Sequence, residues 1–319
     1  MRRPTTTLGL SLALAAVGLG GCQARISGAP ADLATDAGGT TSDSALPSDG
    51  PGVVQLGPWS MPAKVSVASG APSEEDASLS SNTLEMFFAI DPTDPNDTTG
   101  KHLFYSSRAT VNDPWSDPAG LPFDDPSFSN ETPRLSADDK TLYFASARAG
   151  KGNLDIFKVA RSAPGSLDWG KVDLVSVSTT TLNEKWFAPC QDGHYLMAQS
   201  NGSAEPDLVE GVVGGAAAPA DALNSMASET GAFLTADCLT AYFASTRSST
   251  SRLYRAQRNS LTSPWSAPAR VTDFAAIGGN QEDPWISPDG KTFVFVSDAT
   301  TAGNKDVYLS TRNTILGAR

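Results

Sequence analysis

The chain has 319 residues, of which 35 are acidic and 23 are basic, and its formal net charge is −12 at pH 7. So acidic a chain does not hold nucleic acid by neutralising phosphates, and its field favours cations or basic partners. The only histidines, His102 and His194, occupy unrelated positions in the sequence. This argues against a histidine metal cluster and against a Ser-His-Asp triad.

Residues 1–22 have the order of features of a secretory signal. Two arginines precede an apolar stretch over 8–19, which is shorter than the roughly 20 residues of a membrane-spanning helix. Leu19-Gly20-Gly21-Cys22 resembles a lipobox, which implies that Cys22 becomes the lipid-modified N-terminus after cleavage. By the same resemblance, Gln23 at the next position favours the outer membrane. The alternative is an ordinary signal peptide with an incidental cysteine.

Residues 23–52 consist mainly of Ala, Gly, Ser, Thr, Asp and Pro, with almost nothing to bury. We therefore expect a disordered tether between the lipid and a folded domain over 53–319. No later segment is long and apolar enough to span a membrane, so we expect the domain to be exported and attached through the lipid anchor alone. Without Arg2 and Arg3 the chain keeps 21 basic and 35 acidic residues, a charge near −14.

Residues 53–319 contain five copies of one unit, each introduced by a Glu. These residues are Glu75, Glu131, Glu184, Glu229 and Glu282, at intervals of 56, 53, 45 and 53 residues. A short apolar segment, a Ser/Asp/Gly turn, a strong strand such as TLYFAS (141–146) and a loop follow. A third strand ends on Arg in four units, and a fourth, weaker strand carries Trp. In the third unit the Trp-bearing strand is replaced by the weakly packing VEGVVGGAAAPADAL. Four strands in units of this length predict propeller blades.

The last unit lacks its fourth strand, because only seven residues follow Arg312. The missing piece is found at the other end, where GPWSMPAKV (57–65) matches SPWSAPARV (263–271) almost residue for residue. We therefore predict an all-β fold, a five-bladed β-propeller of four-stranded antiparallel blades, closed by an N-terminal strand that completes the last blade. Such closure removes the open edge between the first and last blades.

The repeat resembles a known family. NETPRLSADDKTLYFASARAGKGNLDIF (130–157) looks like the WD40-like (PD40) repeat of TolB-type propellers, and it is especially similar to copies found beside peptidoglycan-binding OmpA-like domains. Asp139 stands where that family usually has Gly, whereas 287–291 keep its Ser-Pro-Asp-Gly-Lys core. The resemblance implies partners in the cell envelope and names none, since one fold hosts many functions.

The repeated Glu is the strongest candidate for a functional site. If each first strand lines the channel, the five carboxylates converge on one mouth, where they repel one another unless a cation such as Ca²⁺ or Mg²⁺ lies among them. The alternative is that each Glu bonds backbone N–H groups of a neighbouring blade. We favour this architectural interpretation, because the residue recurs in every unit, and the sequence leaves the metal unknown.

The other recurring residues each have a structural interpretation and a functional one. Four equivalent tryptophans are expected to pack between blades rather than to form a sugar platform: Trp59, Trp115, Trp169 and Trp265. Trp186 and Trp285 follow the repeated Glu and are better candidates for an aromatic near the channel, although burial is also expected. Three aspartates before the third strands are expected to order loops: Asp155, Asp207 and Asp306.

Cys190 and Cys238 fall in corresponding turns of adjacent units. An oxidising compartment permits a disulfide between them. Equivalent turns of neighbouring blades can nevertheless lie too far apart for the geometry of a bridge. The sequence leaves both outcomes open.

These features favour a monomeric, non-enzymatic scaffold that presents one rigid face to an envelope protein, peptidoglycan or a glycan. We expect it on the outer membrane, facing the periplasm or the cell surface. The alternative is a glycosidase-like, carbohydrate-active enzyme, because such enzymes need carboxylates in the channel. A third reading is a propeller whose axial cation is purely structural.

Overall fold

A computed structural model of the chain describes residues 55–67, 73–92, 99–148, 154–179, 181–202 and 204–315. Twenty of the 22 strands in these residues form five four-stranded antiparallel sheets, and the other two form a separate pair. Two short 3-10 helices, Gln191–Gly193 and Ala275–Ile277, complete the secondary structure of this part. None of its helices has the length and apolar character needed to cross a membrane. The predicted signal peptide, Cys22 and the tether lie outside the described residues.

Each sheet is one blade, numbered 1 to 5 in chain order. The first strands are β3 (Glu74–Leu79), β7 (Asn130–Leu135), β11 (Asn183–Pro189), β15 (Glu229–Leu234) and β19 (Gln281–Ile286). The second strands are β4 (Glu85–Ile90), β8 (Thr141–Ser146), β12 (His194–Ser200), β16 (Thr240–Ser245) and β20 (Thr292–Thr301). The third strands are β5 (His102–Ser107), β9 (Asp155–Ala160), β13 (Asp207–Val212), β17 (Arg252–Gln257) and β21 (Asn304–Thr311). The fourth strands are β6 (Ala119–Gly120), β10 (Asp173–Leu174), β14 (Ala218–Pro219), β18 (Ala269–Arg270) and β2 (Ala63–Lys64).

The first strands of neighbouring blades contact one another around a closed ring. Blade 5 is completed by β2, which pairs antiparallel with β21 so that Ala63 lies opposite Leu309. The predicted five-bladed propeller, closed by an N-terminal strand, is therefore confirmed. A second pairing was not predicted: β1 (Gln55–Leu56) pairs with β22 (Thr314–Ile315), so the two ends of the described chain are joined directly.

Each second strand is buried on both faces, because its blade packs against two neighbours. All six residues of β4 are buried, including the adjacent Phe87 and Phe88, whose side chains point to opposite faces of the sheet. Phe87 shares a core cluster with Phe144 of blade 2, and Phe88 shares one with Val294 of blade 5. Burial on both faces explains why these strands are continuous apolar runs instead of alternating ones.

In four blades an arginine holds the fourth-strand tryptophan against the turn between the first and second strands. Its guanidinium lies 4.1 to 5.0 Å from the tryptophan ring centre in the pairs Arg108–Trp115, Arg161–Trp169, Arg258–Trp265 and Arg312–Trp59. Its Nε donates to the carbonyl oxygen of a turn residue with positive φ: Thr83, Asp139, Cys238 or Gly290, respectively. The expected packing of these tryptophans is confirmed, and Trp59 supplies the tryptophan that the last unit lacks.

Blade 3 has neither this arginine nor this tryptophan, but its fourth strand still forms, and Ala218 lies opposite Glu210 of β13. Its first turn is tied to blade 4 in another way. Cys190 forms a disulfide with Cys238, with the two Cα atoms 5.5 Å apart. The corresponding turns of blades 3 and 4 are thus close enough for the bridge that the sequence left open.

Candidate functional site

The first strands surround a channel with two ends. We call the end where these strands begin the strand-start mouth, and the end formed by the turns that follow them the turn mouth. Every first strand contains a bulge with one residue at a φ of 51° to 60°: Asp76, Thr132, Trp186, Gly231 and Asp283. Because this residue recurs in all five blades, it defines which positions are structurally equivalent.

The five repeated glutamates are not equivalent. Immediately before the bulge residue stand Glu75, Glu131, Lys185, Thr230 and Glu282. One position earlier stand Glu74, Asn130, Glu184, Glu229 and Gln281. The prediction of one equivalent set is therefore wrong for Glu184 and Glu229. A shift of one residue along a strand moves a side chain to the opposite face.

Glu184 and Glu229 serve their own blades. Glu229 is fully buried and accepts hydrogen bonds from Ser225, Ser245 and the Arg247 guanidinium. Glu184 is equally buried and accepts from Thr179 and Gln199. Their bonds to loop N–H groups and nearby side chains are architectural and give them no place in the channel-mouth ion pairs.

At the strand-start mouth the three remaining glutamates are paired with lysines. Glu75 Oε2 lies 2.5 Å from Lys101 Nζ and 3.0 Å from Lys305 Nζ. The same Lys305 Nζ lies 2.7 Å from Glu282 Oε2. Lys185 Nζ lies 2.6 Å from Glu131 Oε2. Three ammonium groups thus provide the positive charge for which the sequence suggested a cation.

The lysines also set the ionisation of this mouth. Burial raises the pKa of Glu75, but Lys101 and Lys305 outweigh it and hold that pKa below its usual value. Burial likewise raises the pKa of Glu131, and Lys185 outweighs it in the same direction. Within the described residues, no group of three or more His, Cys, Asp or Glu side chains is placed to hold a metal ion. The axial Ca²⁺ or Mg²⁺ stays a prediction.

Deeper in the channel, the bulge residues of four blades bond to one another across blade boundaries. Asp76 accepts a 2.7 Å hydrogen bond from Trp186 Nε1 and a 3.3 Å bond from the Thr132 backbone N–H. Asp283 accepts a 3.3 Å bond from the Asp76 backbone N–H. Burial, with Asp76 beside it, raises the pKa of Asp283 well above its usual value. Trp186 therefore lies in the channel, as one sequence interpretation allowed, and it is used in tying blades together.

The turn mouth contains a cavity of about 320 Å³. Its walls include the apolar side chains Leu79, Ala188, Phe233 and Trp285, and exposed turn residues such as Ala137 stand at its rim. Trp285 is 4% exposed and belongs to the core of blade 5. The cavity is large enough for a small organic group and has the mixed apolar lining typical of ligand pockets.

Arg134 is the charged residue in this lining with the least solvent exposure, 3%. It lies on β7, two residues beyond the bulge residue Thr132. The equivalent positions in the other blades carry Ser78, Ala188, Phe233 and Trp285. Arg134 was not predicted from the sequence, although a charged residue inside a short strand of a buried blade is a usable signal, because arginine is almost never fully buried unless it is paired.

No protein family and no curated protein matches this sequence. Among solved structures, one described as TolB from Agrobacterium tumefaciens matches with 16% identity and a TM-score of 0.49, over 77% of this chain and 81% of that one. TolB from Acinetobacter baumannii matches with 13% identity and a TM-score of 0.47, over 76% and 55%. The catalytic domain of a Coprinopsis cinerea GH62 α-L-arabinofuranosidase matches with 11% identity and a TM-score of 0.47, over 76% and 92%.

TolB structures are thus among those that the chain resembles, as its repeats predicted, and a glycoside hydrolase domain stands beside them. The similarity to copies beside OmpA-like domains stays a prediction. The fold itself rests on the five sheets and their closure: the chain is a five-bladed β-propeller that resembles those of the TolB type.

Proposed function

We propose that the protein is a non-enzymatic binding propeller that takes part of its partner into the cavity at the turn mouth. The observation that carries this proposal is the contrast between the two mouths. At the strand-start mouth, Glu75, Glu131 and Glu282 are each paired with a lysine. At the turn mouth a 320 Å³ cavity presents apolar side chains and a buried arginine to a ligand.

The same contrast disfavours the glycosidase alternative. A glycoside hydrolase needs one carboxylic acid whose pKa is raised, so that it can protonate the leaving group. Lysines hold the pKa of Glu75 and of Glu131 below the usual value, which makes these two repeated glutamates poor proton donors. Asp283, the channel carboxyl whose pKa is raised, is 2% exposed and already accepts a hydrogen bond from the Asp76 backbone N–H. The carboxylates on which the enzyme reading was based are better suited to joining blades.

A thermal-shift screen of the full chain tests the proposal, with peptidoglycan fragments, oligosaccharides and short peptides as probes. A ligand that binds only the folded state raises the melting temperature by mass action. Ala137→Trp places a large ring at the rim of the cavity, and we expect it to abolish the shift. Glu131→Gln, at the other mouth, is the matched control and should keep it. A shift that persists in Ala137→Trp and disappears in Glu131→Gln would move the site to the carboxylates.

We also propose, from the sequence of residues 1–22, that the propeller is a lipoprotein of the outer membrane with a partner in the cell envelope. The lipobox-like Leu19-Gly20-Gly21-Cys22 supports this. In a Gram-negative host fed a labelled fatty acid, the wild-type chain should carry the label and sediment with membranes, whereas Cys22→Ala should be unlabelled and released. Label that remains on Cys22→Ala would contradict the lipid anchor.

A further inference from the structure

The guanidinium of Arg134 is buried and incompletely paired. Its two Nη atoms donate to the carbonyl oxygens of Ala77 and Pro284 over long distances, 3.4 and 3.3 Å. Its Nε has no hydrogen-bond partner. No carboxylate oxygen lies within 4.0 Å of this guanidinium among the residues that the structure describes. A buried cation with unused donors is costly to a folded protein, so this arrangement calls for an explanation.

The position of Arg134 in the channel explains why a buried cation with unused donors is kept there. Burial lowers the pKa of Arg134, and the charges of Asp283 and Asp76 partly oppose this effect. A guanidinium nevertheless stays protonated at any physiological pH. The residue also lines the cavity of the turn mouth. An anion that enters the cavity meets a guanidinium that the described part of the chain leaves without a carboxylate partner.

We propose that the turn-mouth cavity binds a ligand with an apolar body and one carboxylate, and that the Arg134 guanidinium anchors the carboxylate. This inference rests on the binding function proposed above and names the chemistry of its ligand. Phe233 and Trp285 provide walls for the apolar body, and the Phe233 ring centre lies 5.7 Å from the Arg134 guanidinium carbon. The carboxylate can belong to a small organic acid or to the C-terminus of a peptide.

The charge of the protein narrows the class of anion further. With a formal net charge of −12, the chain repels anions at long range, and multiply charged ones most strongly. Asp139 and Asp237 are also among the cavity-lining residues. This repulsion lowers the binding affinity of a ligand with a single carboxylate less than that of a phosphate. Burial of the ligand's apolar part raises its affinity.

Calorimetric titration of the full chain tests the proposal with two matched pairs of probes. The first pair is 3-phenylpropanoate and 3-phenylpropanamide, and the second is acetyl-Ala-Phe with a free or an amidated C-terminus. Loss of one hydrogen bond to a charged group corresponds to a change in Kd of roughly tenfold to a hundredfold. We therefore expect the acid to bind that much more tightly than the amide in at least one pair, which also distinguishes a small acid from a peptide end.

Two variants locate the effect. Arg134→Met keeps the volume and removes the cation, and it should abolish the preference for the acid; Ala137→Trp should abolish binding of both members of a pair. The comparison of acid with amide in the wild-type chain does not depend on whether Arg134→Met folds. If the acid and the amide bind the wild-type chain equally well and neither binds Ala137→Trp, the anion inference is overturned. The proposed binding function would still hold. Failure of every probe and of the broader screen would overturn both.

Discussion

At the scale of single residues, the central finding is that one glutamate pattern hides two structural roles. The residue immediately before the bulge points into the strand-start mouth, and the residue one position earlier points into its own blade. Glu131 has the first role, with Lys185 as its partner, and Glu229 has the second, with Arg247. The recurrence of a residue in every repeat is therefore no proof of one recurring role.

The two roles predict different losses in the free energy of unfolding when each glutamate is replaced. Glu229 is completely buried and accepts a charge-assisted bond from Arg247, so Glu229→Gln should lower the free energy of unfolding by about 1–3 kcal/mol. The Lys185–Glu131 pair is partly solvated, with Lys185 28% exposed, so Glu131→Gln should cost less than about 1 kcal/mol. Urea denaturation of both variants measures the difference. Equal losses would mean that the two glutamates have equivalent surroundings after all.

Glu74 predicts a pH dependence. Burial, and then Asp306, raises its pKa from 4.5 to about 7. Because the folded state holds this proton more tightly than the unfolded state, the contribution of Glu74 to stability is present below pH 4.5 and is lost as the pH rises to about 7. Glu74→Gln, which copies Gln281 at the equivalent position of blade 5, cannot lose a proton.

We therefore expect Glu74→Gln to be more stable than the wild-type chain at pH 8, with an advantage that shrinks towards pH 4.5. Urea denaturation at pH 4.5, 6 and 8 measures it, and the difference between the two chains removes the contributions of all other groups. Parallel stability curves across this range would show that Glu74 titrates alike in the folded and unfolded states.

At the scale of elements, the recurring arginine after the third strand of blades 2 and 4 also joins blades. The Arg161 side chain is fully buried, and its Nη atoms lie 2.8 and 2.7 Å from the two carboxylate oxygens of Glu85 in blade 1. Arg258 of blade 4 reaches back in the same way to Glu210 of blade 3, over 3.1 Å. One residue thus orders the fourth strand of its own blade and ties that blade to the preceding one.

Removing such an arginine leaves a carboxylate without its partner. Arg161→Ala should lower the free energy of unfolding by about 3–5 kcal/mol, because the charge of Glu85 stays buried. The matched control is Lys171→Ala, which removes an exposed ion pair with Asp173 and should cost at most about 0.5 kcal/mol. Thermal and urea denaturation check both values. A cost below about 1 kcal/mol for Arg161→Ala would mean that the bidentate contact contributes little.

At the scale of the whole molecule, the architecture could be predicted because the sequence contains five copies of the same four-stranded unit. The repeat interval, the apolar second strands and the displaced GPWSMPAKV segment together predicted the number of blades and the closure. The register of the first strands could not be predicted in the same way. The bulge is a backbone feature shared by residues as different as Asp76, Thr132 and Gly231, so no side-chain pattern marks it. Aligning the units on Glu shifted two of the five blades by one residue.

The candidate site was predictable in part. The sequence singled out Glu75, Glu131 and Glu282 but not their lysine partners, because Lys101 lies 26 residues from Glu75, and Lys305, in β21, lies 230 residues from it. Arg134 was not predicted because it occurs in one blade only and therefore belongs to no repeated pattern. A ligand site in a symmetric fold is expected where the symmetry is broken, and Arg134 is such a place.

Closure of the ring supports the last prediction, which concerns the entire propeller. Residues 55–65 supply β2 to blade 5, the pairing of β1 with β22, and the ion pair between Lys64 and Asp306, whose charged atoms lie 2.6 Å apart. Trp59 packs edge-on against Phe274 and Phe293. Without this segment, the third strand of blade 5 becomes an open edge and part of the core is exposed to water.

Deletion of 53–65 should therefore destabilise all five blades together. The milder Trp59→Ala should cost about 2 kcal/mol, less than the 3–5 kcal/mol typical of a fully buried tryptophan, because Trp59 is half-buried. Met61→Ala, at a position that is 70% exposed in the same segment, is the matched control and should leave stability within about 0.5 kcal/mol. Calorimetry should show one cooperative transition that moves to lower temperature for the deletion and for Trp59→Ala. A separate transition for blade 5 beside four blades that melt at the wild-type temperature would show that closure holds one blade and not the ring.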